Sequence, residues 1–176
     1  MMGVPMTSYA MSSSTRGVIF IHSAPKGMCS HIEWSLGGLL GATATLEWTD
    51  QPIASGMMRA ELSWQGKPGL AAQIASILRA YPNLRFEVTE EPSSGFDGQR
   101  FVSTPALGLW SSQMSVIGEV LIPEEKLRNA MQDALNNGKS FIEVIDQVLG
   151  TPWDRELEPF RYAGEGMPVR WLHQVS

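Results

Sequence analysis

The sequence predicts an α+β fold, and three observations carry that expectation. Its first half alternates strand-like runs of period two with two helical stripes of period about 3.6. Three of the four strand-like runs have one polar and one apolar face. The second half then supplies shorter strand-like runs followed by helices punctuated by Pro, Asn and Gly.

The elements follow in order. RGVIFIHSA (16–24) is rich in β-branched and aromatic residues and reads as a strand. In PKGMCSHIEWSLGGLLG, Met28, Ile32, Leu36 and Leu39 recur at helical spacing, so a helix is expected from about 26 to 40. Gly37 and Gly38 weaken its end. ATATLEWTD (42–50) alternates, with Ala44, Leu46 and Trp48 on one side, and reads as a second strand. After the turn QPIASG, MRAELSW (58–64) alternates again and pairs with it. PGLAAQIASILRAY (68–81) is the clearest helix: Pro68 sits in its first turn and Leu70, Ile74, Ile77, Leu78 and Tyr81 form the stripe. LRFEVTE (84–90) is the fourth strand, with Leu84, Phe86 and Val88 inward.

The order β-α-β-β-α-β is the split βαβ, ferredoxin-like pattern. It places two helices on one face of the sheet and leaves the other open. Glu47, Arg59, Glu61, Arg85 and Glu87 would lie on that open face, with opposite charges paired across strands. EPSSGFDGQ (91–99) is a loop, RFVSTP and ALGLWSSQM (100–114) a β-hairpin, and EVLI (119–122) a short strand. A helix opens at Pro123, carries Leu127, Ala130, Met131, Ala134 and Leu135, and ends at Asn136-Asn137-Gly138. Ser140 and Glu143 form a capping box for a helix running to Leu149. Thr151 to Asp154 begin a single turn that Pro159 closes, and PVRWLHQV (168–175) is a C-terminal strand. The expected organisation is a disordered leader (1–15), a ferredoxin-like unit (16–92), and an extension (93–176). The extension packs on the unit, partly over its polar face, to give one compact domain.

Composition narrows the classes of function. Hydrophobic residues are 43% and charged residues 18%, which is globular. A net charge of −5 argues against nucleic acid, whose phosphates call for a basic face. No apolar run is long enough to span a membrane. One cysteine, Cys29, excludes an intrachain disulfide, and MMGVPMTSYAMSSSTRG lacks a basic, then apolar, signal pattern. A cytoplasmic location is expected.

Several stretches could carry chemistry. His22, Cys29, His31 and Glu33 are a Cys/His set. Cys29 and His31 are two apart on a helix and splay by about 200°, so no metal site is expected. Gly66, Lys67, Gly69 and Ala71 form a strand-to-helix turn whose backbone N–H groups could hold a phosphate. It partly matches the R/Q-x-x-G-x-G/A loop with which some acyltransferases bind coenzyme A. However, Gly66 stands where Arg or Gln should, and Pro68 removes one N–H. The turn His22-Ser23-Ala24-Pro25-Lys26-Gly27 could hold an anion with Ser23 and Lys26, or Ser23 could cap the helix. The open face lacks the aromatic residues of an RNA-binding sheet. Near the C-terminus, Glu158, Arg161, Tyr162, Glu165, Arg170 and His173 could converge on a ligand. Alternatively, Val169, Trp171, His173 and Val175 share one strand parity and form a structural brace.

Four stretches, RGVIFIHSAP, HIEWSLG, LRFEVTEEPSSGFDG and ELEPFRYAGEGMPVRWLH, resemble a family of actinobacterial proteins catalogued as domain of unknown function 3145. The resemblance runs from Arg16 to His173 and assigns no residue a catalytic or binding role. It implies a link to type II fatty-acid synthesis, with an acyl carrier protein or a synthase as partner. An acidic carrier would need a basic patch, which Arg59, Arg85, Arg161 and Arg170 could supply. The leading expectation is a non-catalytic small-ligand or protein-binding regulatory module, without a cofactor and able to form a homodimer. The alternatives are an acyl-coenzyme A-dependent transferase using the Gly66–Ala71 turn, and an interaction subunit of lipid synthesis.

Overall fold

The computed structural model describes residues 14–41 and 44–162. Seven strands form one antiparallel sheet in the order β2-β3-β1-β4-β5-β6-β7. They are β1 (Thr15–Pro25), β2 (Thr49–Asp50), β3 (Met57–Gly66), β4 (Arg85–Glu90), β5 (Gly98–Thr104), β6 (Gly108–Met114) and β7 (Val120–Leu121). The helices are α1 (Cys29–Leu40), α2 (Leu70–Leu78), α3 (Glu124–Asn137), α4 (Phe141–Leu149) and α5 (Thr151–Tyr162). No helix among the described residues is long and apolar enough to cross a membrane.

Strand alternation sorts the side chains onto two faces. Ile19 and Ile21 of β1, Ala60 and Trp64 of β3, and Phe86 and Val88 of β4 face α1 and α2. There they meet Ile32 and Leu36 of α1 and Ala71, Ile74 and Leu78 of α2, all fully buried. Each large aliphatic side chain so buried contributes about 1.5–3 kcal/mol, which makes this cluster the main source of stability. The opposite face is covered over β5 and β6 by α5, around Val102, Trp110 and Leu157 with Trp153 and Val120 beside them. A third, smaller cluster of Ala130, Ala134, Val144 and Val148 joins α3 to α4.

One irregularity in β1 matters for the site. Ile21 pairs with Ala60 and Ala24 with Met58, so His22 and Ser23 together oppose Arg59. This is a β-bulge, which re-aims side chains and bends the strand.

The structure corrects several sequence expectations. The second strand is not 42–50 but only Thr49–Asp50. Ala44 and Leu46 are buried and Thr45 and Glu47 exposed, as the alternation implied. The Leu46 N–H, however, goes to the Glu33 carboxylate at 2.9 Å rather than to a strand. The helix expected from 26 begins with a 3-10 turn, Lys26–Met28, before α1. Ser140 occupies the N-cap position of α4 but makes no side-chain capping bond, so the capping box does not form. The single turn after Gly150 is a twelve-residue helix, α5, that continues through Pro159. Proline removes one helical hydrogen bond, but it lies on the exposed side of α5, where water can meet the freed carbonyl. Thr15, expected in the leader (1–15), is buried and opens β1. Residues 1–13 and the strand expected at 168–175 lie outside the described residues.

Gly17 shows how tightly β1 is held. A Cβ there would lie 1.8 Å from the Thr89 carbonyl oxygen and 2.6 Å from the Trp64 ring. The backbone atom belongs to the neighbouring strand and cannot rotate away. Gly17→Ala is therefore expected to cost about 3 kcal/mol, as overpacking does. That corresponds to a fall in melting temperature on the order of 10 °C, measurable by calorimetry. An unchanged melting temperature would show that the two strands are not in this register.

Candidate functional site: a buried charge cluster beneath the last helix

Parity on β4 sends Arg85 and Glu87 to the face away from α1 and α2. Cross-strand pairing puts Val102 opposite Glu87, and Arg100, two residues earlier on β5, on the same face. From α5, Asp154, Leu157 and Arg161 descend onto this surface. The spacings of three, four and seven place them on one helical stripe. The β1 bulge brings His22 to the same place.

Glu87 is the centre. Its side chain has no exposure, yet it carries a full charge among three polar partners, His22, Arg100 and Arg161. Its Oε1 accepts from His22 Nε2 at 2.8 Å, from Arg161 Nε at 2.8 Å and from Arg161 Nη2 at 2.5 Å. Its Oε2 accepts from Arg100 Nη2 at 2.9 Å and Nε at 3.3 Å. Asp154 Oδ1 bridges the same two guanidinium groups, 2.5 Å from Arg100 Nη2 and 2.9 Å from Arg161 Nη2. Two carboxylates thus balance two guanidinium groups. An ionised Glu87 can only accept, so the His22 Nε2 carries a hydrogen. The His22 ring also stacks on Phe20, with centroids 6.1 Å apart.

A second pairing flanks the first. Arg85 Nη2 lies 3.3 Å from Glu156, which also accepts from Thr104 Oγ1 at 2.7 Å. The Arg85 guanidinium stacks 4.5 Å over the Phe160 ring. Gln51 Nε2 donates to the His22 carbonyl at 2.6 Å and lies 3.4 Å from the Phe160 carbonyl. Arg85 therefore answers to α5, while Glu87 is shared between Arg100 of the neighbouring strand and Arg161 of α5.

Burial by itself would push the Glu87 carboxyl up. The hydrogen bond from His22 and the charges of Arg100 and Arg161 overcome this and hold it well below the usual carboxylate range. Burial would likewise lower Arg100, and Glu87 with Asp154 reverses that and raises it. A carboxylate so thoroughly hydrogen-bonded and so acidic cannot exchange protons near neutral pH. The cluster is an electrostatic clamp on α5.

The structure brings together three of the residues singled out by sequence. His22 and Arg161 are both in the cluster. Ser23 lies beside it, opposite Arg85, where Ser23 Oγ and Arg85 Nε are buried without a hydrogen-bond partner among the described residues. Ser23 does not cap α1. Lys26 is exposed, with its N–H on the Gly56 carbonyl at 3.2 Å. Tyr162 is exposed at the end of α5. Glu165, Arg170 and His173 lie outside the described residues.

The Gly66–Ala71 turn holds an anion of its own. Gly69 N–H donates to Glu90 Oε1 at 2.7 Å and Ala71 N–H to Glu90 Oε2 at 3.0 Å. The Glu90 carboxylate, from the end of β4, sits where a pyrophosphate would have to sit. Lys67 is exposed and its carbonyl accepts from Leu70 N–H at 3.2 Å, while Gly66 faces the Leu70 side chain. Glu33 is taken up by Leu46 N–H and by Trp48 Nε1 at 3.1 Å. Among the described residues no three His, Cys, Asp or Glu gather as a metal site.

Sequence reasoning does not single out Arg100, Asp154 and Glu156. It places Glu87 only on an open face, and Arg85 there and in a basic patch with Arg59, Arg161 and Arg170. The available signal was the seven-residue spacing of Asp154 and Arg161. Reading Pro159 as the end of the turn concealed it.

Loss of the central charge tests the clamp. Glu87→Gln leaves two buried guanidinium groups short of their partner and is expected to cost about 3–5 kcal/mol. The depressed Glu87 pKa also sets a pH window. Its stabilisation is complete above the unfolded value of about 4.3 and is lost progressively as pH falls below it. Chemical denaturation from pH 7 down to pH 3 should show a steeper loss in the native protein than in Glu87→Gln. Equal acid slopes would remove Glu87 from this role.

A protein family described as "Protein of unknown function (DUF3145)" matches residues 18–174, a span that includes His22, Glu87, Arg100, Asp154 and Arg161. No curated protein and no solved structure matches the chain. With nearly its whole length matched, the chain belongs to the family of proteins of unknown function DUF3145.

Proposed function

We propose that this chain is a non-catalytic, protein-binding regulatory module of the cytoplasm. It is built on a ferredoxin-like half and docks its partner through the α3–α4 hairpin. The strand order β2-β3-β1-β4, all antiparallel with α1 and α2 on one face, supports the ferredoxin-like reading. The clamp beneath α5 supports a non-catalytic role, because its polar groups are committed to one another. Glu90 weighs against the coenzyme A-dependent transferase by occupying the N–H groups that reading needs.

The observation that carries the proposal is apolar exposure on the hairpin. Leu135 is 77% exposed, Ile142 73%, Phe141 52% and Met131 46%. Leu135 ends α3 while Phe141 and Ile142 begin α4, so three of them flank the connecting turn. The core between the two helices is built from small residues, Ala130 and Ala134 against Val144 and Val148, and leaves these large side chains outside. Large apolar side chains gathered on a surface mark interaction sites. An acyl carrier protein or synthase of fatty-acid synthesis is the partner class that the resemblance implies, and a second copy of the chain is the other.

Quantitative affinity purification from native cells separates these outcomes. The double variant Leu135→Ser, Ile142→Ser is expected to lose the specific partner at least about tenfold. Its melting temperature should move by no more than about 2 °C, since exposed positions contribute little to folding. Loss of self-association in sedimentation, with no other partner lost, would identify the second copy. Unchanged capture and unchanged sedimentation would sink the docking face.

A further inference from the structure

The C-terminal half of α1 borders a groove of about 990 Å³, within the size range of small-molecule sites. It lies on a different part of the molecule from the α3–α4 hairpin and does not depend on the docking proposal. Its apolar lining comes from Leu39 and from Ile77 of α2, and its aromatic member is Trp34. Trp34 is 82% exposed, an unusual position for so large an apolar ring.

Three features give the groove one sign of charge. Among the described residues, Glu33 is the only charged one in its lining. One Glu33 oxygen accepts from the Leu46 N–H and the Trp48 indole, both neutral donors, and the other accepts no hydrogen bond among the described residues. The negative end of the α1 dipole also falls here, where Gly41 caps the helix in the left-handed conformation. The face of an indole ring adds a negative quadrupole.

We infer that the groove binds a small organic cation, an alkylated ammonium whose charge meets Glu33 and whose methyl groups lie on the Trp34 ring. A cation over an indole ring is attracted by the ring quadrupole, and more strongly when partly desolvated. An inorganic or phosphorylated anion would meet a carboxylate and a helix C-terminus with no counter-charge. A neutral apolar molecule would leave the free Glu33 oxygen without a partner.

Choline chloride and its uncharged carbon isostere, 3,3-dimethylbutan-1-ol, separate charge recognition from apolar fit. The readout is the indole ¹⁵N–¹H signal of Trp34, assigned by its absence in Trp34→Phe, at constant ionic strength. Choline is expected to shift it saturably, with the alcohol at least about tenfold weaker. Glu33→Gln keeps an oxygen acceptor for Leu46 and Trp48 while removing the charge. It should weaken choline about tenfold and leave the alcohol unchanged. Equal response to the two probes, no saturable shift, or unaltered choline affinity in a folded Glu33→Gln protein would each overturn the inference.

Discussion

Glu87 is a charge without water. Removing a carboxylate from solvent costs several kcal/mol unless partners replace every lost hydrogen bond. Here the replacements come from three separate parts of the chain: His22 from β1, Arg100 from β5 and Arg161 from α5. None of these can leave without stranding the others. The requirement to neutralise one buried carboxylate thus fixes where α5 lies. The position of α5 decides in turn that Val102, Trp110 and Leu157 form a second core.

The same economy of carboxylates recurs elsewhere. Glu90 satisfies the backbone N–H groups that open α2, a position with no side-chain cap of its own. Glu33 holds the irregular segment that leads into β2 through Leu46 N–H and the Trp48 indole. Glu87, Glu90 and Glu33 thus serve as internal partners for donors that would otherwise be buried alone. Among the described residues, the places proposed for outside molecules are the apolar tip of the α3–α4 hairpin and the groove beside Trp34.

Much of the fold was legible. The inward pair Phe86 and Val88 and the α2 stripe Ile74 and Leu78 follow from alternation and helical spacing, because burial on one face repeats with the local backbone period. By contrast, β1 is apolar on both parities, and its inward pair Ile19 and Ile21 was not legible. The extent of β2 was not legible. Ala44 and Leu46 alternate as a strand would, yet the backbone bonds to Glu33, and parity cannot distinguish a paired strand from an extended segment anchored by side chains. The length of α5 was not legible either. Proline is a strong stop signal in a sequence, but a proline on the solvent side of a helix costs less than the contacts of Leu157 and Arg161 return.

The sequence by itself determined which residues turn inward on β3, β4 and α2 but not on α3, where Met131 and Leu135 of the expected stripe are exposed. It also determined that the sheet has one polar face that a later segment would partly cover. Only the tertiary structure decided which charges meet. Arg161 and Glu87 are 74 residues apart, and Arg100 and Asp154 are 54 apart. Periodicity is a property of neighbouring residues, so it reads directly from the chain. The partner of a buried charge depends on which distant elements the packing of the core brings within about 3 Å, and no local pattern encodes that distance.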